Sequence, residues 1–233
     1  MKSFATIASL GIYAFAFEFD VRNFEYLNYM AKYNKMMVTD VEEFAMRAEN
    51  FKYIDDFINK HNASGSSYEA GHNQFSDWTE AEYKQLLGRV GGRQIVKRYT
   101  EFETDNLADA INWVDAGAVT PVKDQGQCGS CWAFSTTGSL EGAHFVASGE
   151  LLSFSEQQLV DCAYLQYFNY GCNGGLQTNA YMYYEDGFMA EIEEVYPYTS
   201  GTTKKRGTCQ YDKSSATGVD VSTYKDVQAN SVA

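Results

Sequence analysis

Five cysteines, Cys128, Cys131, Cys162, Cys172 and Cys209, all fall after residue 127 of the 233-residue chain. Four can pair and one is left over. In an exported protein such an odd thiol is either an accident or a reactive group. The segment Gln125-Gly126-Gln127-Cys128-Gly129-Ser130-Cys131-Trp132-Ala133-Phe134-Ser135 places a thiol where a glycine-containing turn enters a helix. A helix N-terminus carries partial positive charge and unpaired N–H groups. Both favour thiolate over thiol, which lowers the cysteine pKa and makes a nucleophile. The same N–H groups could stabilise an oxyanion on the attacked carbonyl, with Gln125 adding a side-chain donor.

Two other chemistries use similar residues. Cys128-x-x-Cys131 could be a redox dithiol, but that arrangement follows a strongly apolar strand. Here Lys123-Asp124-Gln125-Gly126-Gln127 is a polar loop. A structural zinc site needs four well-placed Cys or His ligands. The three histidines, His61, His72 and His144, stand in the wrong neighbourhoods for one. No metal or other cofactor is expected.

A nucleophilic thiol also needs a general base. His144 lies thirteen residues along the same helix as Cys131, about 20 Å away at 1.5 Å per residue. His61 and His72 belong to a separate region nearer the N-terminus.

The elements that position these residues fall into regions. Residues 1–16 read as an export signal: Lys2, an apolar run from Phe4 to Phe15, and the Ala14-Phe15-Ala16 cleavage pattern. Residues 18–88 form a helical region. Asp40 and Glu43 fit a capping box, and Glu43, Arg47, Phe51, Ile54, Ile58 and Asn62 recur along one helix face. Phe51, Phe75 and Trp78 are candidate core residues, and Asn62-Ala63-Ser64 is a glycosylation sequon. Residues 89–106 carry Gly91-Gly92 and no apolar periodicity, so they read as an exposed linker open to nicking. The last region, 107–233, predicts a helix over roughly 130–147 closed by Gly149. A second, short helix is capped by Ser155 with Gln158, and a third runs from Gln177 to Asp186. The alternation around Val219, Val221 and Thr223 suggests the start of a strand.

Composition sets the outer limits. Apolar residues make up 45% and charged residues 21%, within the range of globular proteins. The net charge of −13 repels phosphate backbones, so nucleic acid is not an expected partner. After the signal no stretch is long and apolar enough to suggest a membrane span.

Cys128-Gly129-Ser130-Cys131-Trp132 strongly resembles the active-site segment of papain and the cathepsins. Asn112-Trp113, Gly117 to Lys123, Leu159-Val160-Asp161-Cys162, Gly171-Cys172-Asn173-Gly174-Gly175 and Tyr196-Pro197-Tyr198 extend the likeness over nearly all of 107–233. Glu43, Arg47, Phe51, Ile58 and Asn62 resemble the helical motif of cathepsin L-type prosegments. Ile54 departs from it, where the family usually has Asn. Gly71, Asn73, Phe75 and Asp77 match the second prosegment motif.

The resemblance implies an α+β protein: a helical prosegment plus the helical half of a papain-like two-domain cysteine protease, with the β-rich half mostly absent. It implies Cys131 as nucleophile and Gln125 as oxyanion-hole donor. Gly174, Gly175 and Leu176 become one wall of the substrate cleft, Leu176 beside the pocket for an apolar residue. The implied disulfides are Cys128–Cys172 and Cys162–Cys209, leaving Cys131 free. The stretch between Cys162 and Cys172 looks slightly long, as a surface-loop insertion would. The prosegment serves as folding template and intramolecular inhibitor, lying along the cleft with its backbone reversed relative to substrate.

In the papain pattern the catalytic His and Asn follow the nucleophile by roughly 130–150 residues, whereas 102 residues follow Cys131. The expectation is therefore a cysteine endopeptidase precursor acting on peptide and protein substrates. Taken alone, this chain is expected to be inactive. The absence of a long His-bearing insertion between Gly187 and Cys209 favours endopeptidase over exopeptidase action. The alternative is a natural short product acting as a prosegment-type inhibitor or binding module of cysteine proteases. The expected location is the secretory pathway, leading to a lysosome- or vacuole-like acidic compartment or outside the cell.

Overall fold

The computed structural model describes residues 21–35, 40–90, 99, 107–217 and 219–228. The export signal, most of the 89–106 linker and the last five residues lie outside the described set. The chain divides into two compact units, residues 1–79 and 80–233. Residues 80–88, within the region expected as prosegment, therefore group with the second unit, as do residues 89 and 90 of the expected linker.

In the first unit, helix α1 (Val21–Lys32) packs on helix α2 (Val41–Asn62). Tyr26, Tyr29 and Met30 line one face of α1, and Ala48 and Phe51 line the facing side of α2. Spacings of three and four residues put these side chains on common stripes. The rings meet in tilted and edge-on pairs, Tyr29 with Phe51 at 5.0 Å and Tyr26 with Phe44 at 5.3 Å. Asp40 starts α2 by accepting from the amides of Glu42 and Glu43. The carboxylate of Glu43 pairs with Arg47 at 2.9 Å, so it supports the helix side chain to side chain.

At the far end of α2, Asn62 closes a loop. Its amide donates to the Ala70 carbonyl at 2.9 Å and its oxygen accepts from the Ala70 N–H at 2.8 Å. Residues 63–79 are not helical. They carry the second prosegment motif as a chain of turns, with Asn73 Oδ1 accepting from the Phe75 amide. Asp77, 2% exposed, ends this segment under the aromatic face. Its carboxylate accepts from Tyr26, Tyr29 and Lys35 at 3.3, 3.2 and 2.7 Å. Burial, then the Asp77 charge, pushes both phenols above their usual range, so both remain donors. Phe51 is core. Phe75 and Trp78 are only half-buried and pack edge-on against each other.

The second unit holds helices α3 (Glu80–Lys84), α4 (Cys131–Ser148), α5 (Glu156–Cys162), α6 (Gln177–Glu185) and α7 (Ser200–Thr203). Helix α4 packs against α5 and α6 around Trp132, Phe154, Leu159, Val160, Tyr183 and Tyr184. It ends at Gly149, whose φ of 78° is open to glycine at little cost. Trp132 is fully buried and donates to the Gly171 carbonyl at 3.1 Å. One ammonium, Lys123, sits between two buried carboxylates, Glu141 and Glu156, at 2.7 Å from each. Burial alone would lower its pKa. The hydrogen bonds to Glu141 and Glu156 outweigh that and raise it.

Two local expectations are corrected. Ser155 caps α5 by accepting from the Gln158 amide, but Gln158 does not complete a capping box. Its side chain is drawn into the core, where it donates to Tyr183 and the Met189 carbonyl and accepts from the Glu191 amide. Burial among unpaired backbone groups outcompetes the local bond. The segment around Val219, Val221 and Thr223 forms no strand. Among the described residues its backbone pairing consists of isolated contacts: Ala190 N–H to Val219 O, Thr217 N–H to Ala190 O and a single bridge between Asp226 and Tyr99. Alternation supplies the side-chain pattern of a strand but not the neighbour that would complete a ladder.

Candidate active site

The site begins in the loop before α4. Asp124 accepts from the Gly126 amide at 2.8 Å, and Gly126 turns the chain at φ 57°. This turn brings the Gln125 side chain back toward the helix start. Its amide nitrogen donates to the Cys128 carbonyl at 2.7 Å and to the Leu86 carbonyl at 3.1 Å. Cys131 is the first residue of α4, half-buried, and its thiol is free. Ser130 precedes it as N-cap, but its side chain caps none of the first helical amides. The positive end of the helix is therefore left to the thiol and to whatever binds beside it.

Cys128 is bonded to Cys172, S–S 2.09 Å, and Cys162 to Cys209, 2.08 Å. Cys128 is thus committed elsewhere and cannot act with Cys131 as a redox dithiol. The first disulfide also ties the Gln125 loop to the opposite wall, and the Gly129 amide donates to the Cys172 carbonyl at 2.9 Å. That wall continues through Gly174 and Gly175, both buried, to half-buried Leu176. Gly174 has φ 110°, a conformation open to glycine.

A stretch of backbone from residues 80–90 runs along these walls. The Gly175 amide donates to the Gly88 carbonyl at 2.8 Å, and Arg89 and Gly175 form a parallel bridge. Gly88 and Gly129 pass so closely that a Cβ on Gly88 would lie 1.9 Å from the Gly129 oxygen. A Cβ on Gly174 would meet the Gly88 carbonyl at 2.6 Å. Glycine at these positions is what allows backbone to lie on backbone.

His144 is at the other end of α4, bonded to Ser148 and edge-on to Phe154. The structure does not bring it to Cys131. His72 pairs with Asp55 and His61 contacts the Tyr68 carbonyl, both inside the first unit.

Two residues that support the site escaped sequence reasoning. Asn169 is fully buried, accepts from the Leu176 amide at 3.0 Å and donates to the Ala163 carbonyl, so it holds the second wall in place. It lies in the stretch that looked like a surface insertion, where Tyr167 is buried as well. Part of that loop is core, a fact that length alone does not reveal. The other is Tyr198, whose segment was recognised only as a match in order.

Residues 107–233 match the family described as papain family cysteine protease. The chain belongs to the papain family. Residues 26–83 match the cathepsin propeptide inhibitor domain. Among relatives, digestive cysteine proteinase 1 of Homarus americanus is 38% identical over 208 residues, which are 87% of this chain and 63% of the relative. Cysteine proteinase 5 of Dictyostelium discoideum is 41% identical over 219 residues, covering 90% and 61%. Digestive procathepsin L2 from Tenebrio molitor larval midgut superposes with TM-score 0.75 at 29% identity, over 85% of this chain and 65% of that one. Recombinant stem bromelain precursor superposes with TM-score 0.70 at 31% identity, covering 88% and 63%. This papain-family chain therefore spans just over three fifths of the length of these relatives. Among its described residues no helix is long and apolar enough to cross a membrane.

Proposed function

We propose that the protein is the precursor of a cysteine endopeptidase, with Cys131 as nucleophile and Gln125 as oxyanion donor, held inactive by its own prosegment. The thiolate of Cys131 attacks the scissile carbonyl, and the carbonyl electron pair moves onto oxygen. The developing oxyanion takes hydrogen bonds from the Gln125 amide and the start of α4. Collapse expels the amine, which leaves with a proton from a general acid, and water then releases the acyl group from sulfur. The family resemblance assigns that acid–base role to a histidine oriented by an asparagine. His144 does not fill it, because it stands about 20 Å along the helix. Residues 17–233 alone are accordingly expected to show no appreciable turnover.

The observation that carries this reading is the Gln125 amide. The donor that would stabilise an oxyanion is bonded to the Leu86 carbonyl of the prosegment side of the chain. The parallel pairing of Arg89 with Gly175 supports a segment running opposite to substrate. Gly174, Gly175 and Leu176 form the substrate wall, with backbone groups for the peptide and Leu176 beside an apolar pocket. The substrates are peptides and proteins, and the workplace is an acidic vesicle or the extracellular space.

The test uses the full-length protein after acid activation, assayed on a generic peptide at pH 5 to 6 with reductant. Alkylation without reductant should label Cys131 alone. Cys131→Ala should abolish turnover, and Gln125→Ala should lower it about a hundredfold, the usual effect of one oxyanion donor. Turnover that survives Cys131→Ala, or alkylation mainly at another cysteine, would overturn the reading.

A further inference from the structure

We propose that Tyr198 is a positioning residue of this site, its hydroxyl locking the Gln125 loop to the cap of the nucleophile helix. The inference rests on the roles proposed for Cys131 and Gln125 and extends them to a residue that touches neither substrate nor thiol.

The Tyr198 oxygen lies 2.9 Å from the Gln125 carbonyl and 2.7 Å from Ser130 Oγ. Proton counting fixes the direction of both bonds. A carbonyl can only accept, so the single Tyr198 hydrogen goes to Gln125. Ser130 must then donate to the Tyr198 oxygen. The alternative acceptor for Ser130, the Cys128 carbonyl, is farther away at 3.4 Å. Ser130 is fully buried and its neighbour in sequence is Cys131. This explains why a serine at an N-cap leaves the helix amides uncapped: its hydroxyl is held by Tyr198.

The phenol is itself held on three sides. Its ring meets Phe134 edge-on at 4.9 Å, from the second turn of α4. Its backbone N–H donates to the Glu193 carboxyl at 2.7 Å. Three residues on, the Gly201 carbonyl accepts from the Gln127 amide at 2.9 Å, and the Gly201 Cα lies 2.6 Å from where a Gly126 side chain would begin. The stretch 198–201 thus backs the whole Gln125 turn. Burial pushes the Tyr198 phenol up to about 12, so it stays a neutral donor throughout the working range. An oxyanion donor must be placed to within about half an ångström, and a locked supporting residue does this at no cost during reaction.

Tyr198→Phe removes only the hydroxyl and keeps the ring on Phe134. In the full-length enzyme we expect kcat to fall about tenfold while KM stays within twofold, since the lost contact matters where charge develops. In a Gln125→Ala background the same change should have little further effect, because the pair acts as one unit. A second measurement needs no turnover. The Gln125 side-chain amide should give one sharp NMR signal pair in the parent and broadened or multiple signals in Tyr198→Phe. Full kcat and an unchanged amide signal in the variant would overturn the proposal, as would additive losses in the double variant. Loss of the Cys131 and Gln125 roles would show separately, as turnover that survives Cys131→Ala.

Discussion

Glu193 is a carboxyl in an acidic setting. One oxygen accepts from the Tyr198 amide, while the other is buried with no donor facing it and lies beside Glu156. Burial, together with the nearby Glu156 charge, raises its pKa from 4.5 to about 7. The folded state therefore holds a proton that the unfolded chain gives up near pH 4.5. Its contribution to stability is complete below that pH and is lost as pH rises toward 7. Glu193→Gln mimics the protonated form at every pH. Thermal denaturation from pH 4.5 to 7.5 should show a smaller decline for the variant, and a higher Tm than the parent at pH 7. Parallel curves would contradict this. The free Cys131 thiol at a helix start, by contrast, was legible from sequence because its setting is local: a turn, a cysteine and a helix start within a few residues. Tyr198 was not, since it reaches Ser130 across 68 residues and a tyrosine gives no sign of which backbone it will meet.

Helices were readable wherever their ends carry their own signals, as with Asp40, Ser155 and Gly149. The path of residues 80–90 was not, because a backbone lying on backbone leaves only glycines as its trace, and glycine has many uses. Gly88→Ala tests that path. Its Cβ would run into the Gly129 carbonyl, so the segment must lift and the bond from the Gly175 amide to Gly88 must lengthen. Hydrogen exchange at Gly175 should rise five- to tenfold, the loss of roughly one hydrogen bond. Cleavage by trypsin after Arg89 should quicken as well. Unchanged exchange would mean that the segment is not seated as described. In the first unit, the second prosegment motif gains its meaning from Asp77. Asp77→Ala would take its acceptor from the buried Tyr26 phenol and one of two acceptors from each of Tyr29 and Lys35, which keep the Asn73 and Gln74 carbonyls, and should cost about 3 kcal/mol in urea denaturation of the intact chain. Glu43→Gln, at an exposed pair, should cost under about 0.5 kcal/mol. Equal effects would deny Asp77 its central place.

For the whole molecule, the two family matches, one ending at residue 83 and the other starting at 107, are what support residues between Gly88 and Leu107 as the proposed site of maturation, a window that lies inside the second compact unit. N-terminal sequencing after acid activation should begin in that window. A start between residues 40 and 80 would contradict it. The hold on the Gln125 amide also has a kinetic consequence. Leu86 and Gln125 belong to one chain, so on the proposed role of Gln125 the blocking carbonyl is present at the high effective concentration of a tethered ligand, which no dilution lowers. One cut between Gly88 and Leu107 turns this into an encounter between two separate molecules. On that proposal, escape from the block would then depend on volume: a precursor nicked in a confined space would stay largely occupied, and the same precursor released into a dilute one would free itself.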